Sequence, residues 1–213
     1  MSIQAVIWDF GGVLTTSPFE SFNRFESDNG IPTDFIRMTN ATNPDTNAWA
    51  QFESSRISLE EFDVLFAEET AARGHRISGK QVVELLSGSL RPRMVETLKR
   101  CKAELKVACI TNNLKSGSGP GMATDSARAS EVAEVMGLFD LVVESSVEGI
   151  RKPDPEIYQL TCARLDVRPE NAVFLDDLGV NLKPARALGM QTIKVIDEAD
   201  AIASLAQVTG LAL

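Results

Sequence analysis

Five short runs of apolar residues stand out along the chain, and each is followed by a stretch with helical periodicity. Runs that are apolar at nearly every position are typical of strands buried on both faces of a parallel sheet. The chain is therefore predicted to be an α/β protein whose parallel sheet is covered by helices on both faces. The predicted strands are Ile3–Asp9, Leu105–Thr111, Leu141–Glu144, Ala172–Asp176 and Gln191–Ile196.

Local signals predict where several helices begin and end. Ser58–Glu61 has the spacing of a capping box and predicts a helix that could run to Gly74. Pro92 and Pro155 stand where a first helical turn would begin. Gly189 fits the end of a helix that starts after the fourth strand.

The connection between the first two strands is about ninety residues long, far more than a crossover between parallel strands needs. It has helical patterns, so we expect residues 16–90 to form a small helical cap over the sheet edge where ligands bind. The helix near Arg91–Glu104 should return to the core, which would comprise residues 1–15 and 91–213. Lys115–Gly121, rich in glycine and serine, is expected to be a mobile loop after the second strand.

Composition and charge narrow the function classes. The chain has 213 residues, of which 44% are hydrophobic and 24% charged, with a net charge of −9. An acidic surface repels nucleic acid and anionic membranes, so we expect neither as a partner. No signal peptide or transmembrane run is recognisable, which makes the cytoplasm the expected location. Cys101, Cys109 and Cys162 are far apart in the sequence and are expected to be buried reduced thiols.

Polar residues follow four of the predicted strands, at the sheet edge where ligands of parallel sheets bind. Asp9 is a carboxylate that could attack phosphorus, although an aspartate there could also be a cap. Asp176 and Asp177 would repel Asp9 unless a cation joined them, and Mg²⁺ prefers such oxygen ligands. Beyond these acids, the candidate residues are Gly11, Gly12, Thr111, Asn112, Lys152 and Asn181.

In order and spacing, these residues resemble the four signature motifs of the haloacid dehalogenase superfamily. Within that family, Glu144–Leu213 is most similar to the phosphatase domain fused to soluble epoxide hydrolases, and stand-alone bacterial phosphatases are also similar. The resemblance implies a Rossmann-like core with a helical cap, and a Mg²⁺-dependent phosphohydrolase acting on a small phosphorylated metabolite.

The resemblance also implies a role for each candidate residue. Asp9 would be the nucleophile, and it would share Mg²⁺ with Asp176, the Gly11 carbonyl and Asp177, the last directly or through water. Gly12, Thr111, Asn112 and Lys152 would bind the phosphate, with Thr111 and Lys152 also taking part in catalysis. Asn181 would orient either Lys152 or the acids. From the residues alone, Thr111 could equally cap the next helix, and Asp177 could be an acid favoured at a helix N-terminus.

Gly11 departs from the family pattern, which usually has a second aspartate at this position as general acid and base. Such proton transfer contributes about 10²–10⁴-fold to a rate. Turnover should then be slow or limited to substrates with good leaving groups, or another group supplies the proton. Two alternatives stay open: a 2-haloacid dehalogenase, which the Asp176–Asp177 pair disfavours, and a catalytically weak domain that binds phosphate.

Overall fold

The computed structural model describes residues 2–86, 88–113 and 126–213, without the side chains of residues 126–128. The predicted loop Lys115–Gly121 lies outside the described residues. The strands are β1 (Ala5–Trp8), β2 (Lys106–Thr111), β3 (Leu141–Glu144), β4 (Ala172–Asp176) and β5 (Gln191–Lys194). The predicted β3 and β4 have these bounds, whereas β1, β2 and β5 are shorter than predicted by one to three residues.

Eleven α-helices and a 3-10 turn accompany the strands in the described part of the chain. The helices are α1 (Pro18–Asp28), α2 (Phe35–Asn40), α3 (Ala48–Glu53), α4 (Leu59–Ala72), α5 (Gly79–Glu84), α6 (Pro92–Glu104), α7 (Ser126–Met136), α8 (Ser145–Glu148), α9 (Pro155–Leu165), α10 (Gly179–Ala187) and α11 (Glu198–Thr209). The capping box of α4 is present in both directions, and Pro92 and Pro155 begin their helices as predicted.

The five strands form one parallel sheet in the order β3-β2-β1-β4-β5. Alternate residues of β1 enter different cores: Val6 and Trp8 pack with α6, α7 and α11, whereas Ala5 and Ile7 pack with α9 and α10. The predicted Rossmann-like α/β class is thereby confirmed. The chain leaves β1 toward β2 and later returns to its other side as β4, so the carboxyl ends of β1 and β4 flank the crevice where such sheets bind ligands.

Helices α1 to α5 form a layer with a hydrophobic cluster of its own, in which the rings of Phe52 and Phe62 stack with centroids 4.4 Å apart. The two connections to the sheet run side by side, because Thr15 and Leu90 form an antiparallel bridge. A Cβ at Gly88 would lie 2.5 Å from the Thr16 carbonyl oxygen, so only glycine lets these connections approach so closely.

The three cysteines are buried and unpaired, as expected. Burial raises the pKa of the Cys101 thiol to about 12 and that of Cys162 to about 11, which keeps both protonated. Among the residues that the structure describes, no helix combines the length and the apolar character needed to cross a membrane.

Candidate active site

The register of β1 and β4 places two carboxylates side by side. Trp8 pairs with Leu175, and the Asp9 amide donates to the Leu175 carbonyl over 2.8 Å. Asp9 and Asp176 therefore lie next to each other at the carboxyl ends of β1 and β4. Both are buried, as the ends of two central strands must be when helices cover the sheet.

Lys152 joins these two carboxylates. Its Nζ lies 2.7 Å from Asp9 Oδ1 and 2.8 Å from Asp176 Oδ2, and the residue is only 1% exposed. Burial disfavours the ammonium ion, but the charges of Asp176 and Asp9 outweigh it and raise the pKa of Lys152. The side chain is therefore a fixed cation. A phosphoryl group bound to Asp9 would therefore lie beside the positive charge of Lys152.

Asp176 is held by further donors. The Leu178 amide donates to Oδ1 over 2.8 Å, and Asn181 Nδ2 lies 3.1 Å from Oδ1 and 3.0 Å from Oδ2. Of the two roles considered for Asn181, the contact with the acid is the one present. The buried Tyr158 hydroxyl donates to the Asn181 carbonyl over 2.8 Å and so braces the start of α10.

Asp9, Asp176 and Asp177 offer carboxylate oxygens that all lie within 4.8 Å of one another. Burial raises the pKa of Asp9; Lys152 lowers it, and the other two acids raise it again. Burial, followed by the charge of Asp176, raises the pKa of Asp177 to about 6. With all groups ionised, three carboxylates and one ammonium leave an excess of two negative charges, which suits a divalent cation. The donor set, all oxygen, fits Mg²⁺.

The absence of a side chain at Gly12 leaves room for the Asp177 carboxylate. Gly12 has a φ of 75°, and a Cβ there would lie 2.3 Å from Asp177 Oδ2. A side chain would therefore displace Asp177 as well as strain the backbone. Ser17 Oγ, just before α1, donates to the same oxygen over 3.4 Å. By contrast, a Cβ at Gly11 would meet nothing within 4 Å, so there is open space where the family's usual second aspartate would stand.

Thr111 and Asn112 lie at the end of β2. Thr111 is buried, and its phosphate-binding role stays a prediction. The amide of Asn112 contacts the Lys152 main chain twice: Nδ2 donates to the Lys152 carbonyl over 3.0 Å, and Oδ1 accepts from the Lys152 amide over 2.9 Å. Asn112 thus holds the residue that carries the cation, a contact that the sequence did not suggest. Its phosphate-binding role also stays a prediction.

Three residues at or beside the site were missed by the sequence reasoning. Ser17 was readable only as the cap before Pro18, which it also is. Tyr158 is the single tyrosine of the chain, and its local sequence does not mark it as a site residue. Glu53, at the end of α3, pairs with Arg151 beside Lys152, and nothing in its local sequence marks it.

Residues 3–189 match the family described as haloacid dehalogenase-like hydrolases. The chain is 34% identical over its whole length to mouse acyl-CoA dehydrogenase family member 10 and 31% identical to pig bifunctional epoxide hydrolase 2. It spans only 20% and 40% of those two proteins. It is 30% identical to a phosphatase of Mycobacterium tuberculosis, with 92% of this chain and 88% of that protein covered.

A solved structure from Bacteroides thetaiotaomicron, a family enzyme in complex with magnesium and inorganic phosphate, matches with a TM-score of 0.58. The two sequences are 20% identical, and the match covers 91% of this chain and 94% of that one. At this identity the match supports the fold alone.

Proposed function

Because the chain belongs to the family of haloacid dehalogenase-like hydrolases, we propose that it is a Mg²⁺-dependent phosphatase that forms an aspartyl-phosphate on Asp9. One observation carries the proposal: the Lys152 ammonium bridges Asp9 and Asp176 at 2.7 and 2.8 Å while Asp177 stands beside them. This is an anionic pocket with one fixed cation, able to receive a metal ion and then a phosphate. The similar phosphatase from M. tuberculosis supports the reaction class.

In the first step the Asp9 carboxylate attacks phosphorus, the bond from phosphorus to the ester oxygen breaks, and that oxygen leaves as an anion that takes up a proton from water. Asp9 Oδ1 is held by the Phe10 amide and by Lys152, so we assign the attack to Oδ2. Lys152 offsets the charge that develops on the phosphoryl oxygens. Thr111, Asn112 and Gly12 would provide further hydrogen bonds to these oxygens.

In the second step a water molecule attacks the phosphorus of the aspartyl-phosphate, the bond to Asp9 Oδ2 breaks, and phosphate leaves. Mg²⁺ bound by Asp9, Asp176, Asp177 and the Gly11 carbonyl would neutralise charge and orient the phosphoryl group. Gly11 has no side chain to accept the proton of the water. Hydrolysis of the intermediate is therefore the step that this sequence is least equipped to catalyse.

We propose that residues 16–90 form the cap of this enzyme, with residues 1–15 and 91–213 as the catalytic core. Two contacts support the assignment: Ser17 Oγ donates to Asp177, and Glu53 pairs with Arg151. A cap in this position would exclude water during phosphoryl transfer and select the substrate. We infer a small phosphorylated metabolite as the substrate, since Asp9, Lys152 and Asp176 are all buried.

The proposal is tested with Asp9→Asn, which keeps the size of the side chain but removes the attacking charge. We expect phosphate release from an aryl phosphate in Mg²⁺ to fall to background while the protein stays folded by circular dichroism. Asp45→Asn, the same exchange at an exposed position, should keep wild-type activity. Substantial turnover by folded Asp9→Asn would show that Asp9 is not the nucleophile.

Two further measurements separate the alternative functions. Halide release from a 2-haloacid, undiminished by excess chelator, would identify a dehalogenase. Binding of inorganic phosphate without turnover of any ester would identify the weak binding domain that Gly11 alone suggests.

A further inference from the structure

The loop that carries Lys152 is held from two sides. On the sheet side, both polar atoms of the Asn112 amide bond the Lys152 main chain. On the other side, the neighbouring Arg151 reaches residues of the helical layer. Its Nη1 pairs with Glu53 Oε2 at the end of α3, and its Nη2 donates to the Pro44 carbonyl over 2.7 Å. Adjacent residues of one loop thus contact the carboxylate pair and the helical layer.

This contact differs from an ordinary surface ion pair. The side chains of Arg151 and Glu53 are 20% and 11% exposed. Ser145 Oγ, at the start of α8, also donates to the Glu53 carbonyl over 3.4 Å, so α3 is fixed to the core through its main chain as well. Exposed pairs contribute little because water screens them and long side chains lose entropy. A largely buried pair leaves a costly unpaired charge when one partner is removed, so its geometry is enforced.

We propose that Arg151 is a positioning residue: through Glu53, it makes the placement of the Lys152 ammonium depend on the docking of α3 against the core. The inference rests on the proposed function, in which Lys152 stabilises the transferred phosphoryl group. Its physical basis is the narrow tolerance of the site, since one ammonium must satisfy two carboxylates at 2.7 and 2.8 Å. A shift of about 1 Å in such a group can cost about a hundredfold in rate.

The chain offers a matched control pair. Arg164 and Glu148 form a bidentate ion pair with distances of 2.6 and 2.9 Å. Both residues belong to the part of the chain that contains the sheet, and the side chain of Arg164 is 41% exposed. It touches neither the helical layer nor Lys152 in the described part of the chain. Arg164→Gln therefore removes a guanidinium from a more exposed ion pair and leaves Arg151 and Glu53 in place.

The test is a double-mutant cycle with Arg151→Gln, Glu53→Gln and the two combined. We expect each single variant to lower kcat for an aryl phosphate about tenfold or more, with a smaller change in KM. The double variant should lose no more than the worse single one, because both break the same link. Arg151→Lys, which keeps the charge but cannot bond Glu53 and Pro44 together, should fall between. Arg164→Gln should match wild type.

Hydrogen exchange provides a second readout, which shows whether breaking the pair on one element loosens the other element. Glu53→Gln should speed amide exchange in residues 149–152, which are distant in sequence, and Arg151→Gln should speed it in α3. Losses in kcat that add in the double variant, or exchange confined to the mutated element, would overturn the proposal. If wild-type protein hydrolyses no phosphate ester but exchange spreads across the link, the positioning role stands and the phosphatase assignment fails.

Discussion

At the residue scale, the crevice is dominated by charged groups that are buried. Asp9 and Asp176 share the Lys152 ammonium, Asp177 stands beside them, and burial makes every unpaired charge costly. Burial raises the pKa of Asp9 and of Asp177, and the charge of Asp176 raises both further, while Lys152 lowers them. The pocket therefore favours a cation, and it holds Asp9 ionised more firmly once that cation is present.

The Gly11 position yields a kinetic prediction. With an aryl phosphate, whose leaving group needs little protonation, formation of the aspartyl-phosphate should be fast and its hydrolysis slow. Rapid mixing should then show a burst of the aryl alcohol close to the enzyme concentration. Gly11→Asp should raise the steady-state rate and shrink the burst, because open space surrounds the Gly11 Cβ position.

Gly11→Asn is the control, since it has nearly the same shape as aspartate but cannot accept the proton. It should leave the burst in place. Absence of a burst in wild type, together with no gain from Gly11→Asp, would mean that another group already supplies the base. The missing aspartate would then be compensated elsewhere in the cap or the loops.

The individual site residues differ in how far the sequence could predict them. Asp9 and Asp176 were predictable, because a polar residue that ends a buried strand has few places to go except the ligand-binding edge. The pairing of Glu53 with Arg151 was not, since the residues are 98 positions apart and the contact depends on how α3 docks. The hydrogen bonds between the Asn112 side chain and the Lys152 main chain likewise depend on tertiary packing.

At the element scale, the helical layer depends on short helices that are anchored at their ends. Helices α2, α3 and α5 each have six residues, too few to be stable alone. They are stabilised by the cluster around Phe62 and Phe66 on α4, so α4 is the element on which the layer is built. Its start is the capping box that the sequence predicted.

We expect Ser58→Ala to lower the free energy of unfolding by about 1 kcal/mol. Ser58 Oγ accepts from the Glu61 amide over 3.2 Å, and the Ser58 amide donates to the Glu61 carboxylate over 2.7 Å. Denaturant unfolding followed by circular dichroism measures the change. Ser130→Ala, an exposed position within α7, should be neutral or slightly stabilising, so equal losses in both variants would exclude a capping effect.

Element boundaries were predictable where local chemistry sets them and less so where pairing does. The bounds of β3 and β4 and the starts of α4, α6 and α9 follow from apolar runs, caps and prolines. The prediction for β1 was too long by Ile3 and Gln4 at one end and Asp9 at the other, because an apolar run does not show where its neighbours stop pairing. The five separate helices of the layer could not be distinguished from the general helical pattern.

At the scale of the whole molecule, an acidic protein gathers three carboxylates in one crevice. The net charge of −9 does nothing to attract a phosphate ester, so in the proposed phosphatase the attraction would come from Lys152 and a bound cation. The fold supports this by placing β1 beside β4 at the centre of the sheet. The cost of assembling like charges is offset by the two hydrophobic cores on either side of the sheet.

The clustered carboxylates predict that the charge needed to bind metal lowers the stability of the metal-free protein. Folding raises the pKa of Asp177 from 3.8 to about 6, so the folded protein holds a proton that the unfolded chain releases in this range. Stability without metal should therefore fall as the pH rises from about 4 to about 6. Above that range the charge of Asp177 is a net cost to folding.

Asp177→Asn removes this charge while keeping the side-chain shape. At pH 7.5 in chelator, we expect the variant to be more stable than wild type by on the order of 1 kcal/mol, or about 2–4 °C in Tm. Millimolar Mg²⁺ should raise the Tm of wild type, because it binds the folded state, and should raise that of the variant much less.

Asp45→Asn, the same exchange on the surface, should respond to Mg²⁺ as wild type does. Differential scanning calorimetry of the three proteins, each with and without Mg²⁺, measures these Tm values. A metal-free Asp177→Asn that melts below wild type, or one with an undiminished response to Mg²⁺, would place the metal away from Asp177 and remove the electrostatic argument for this site.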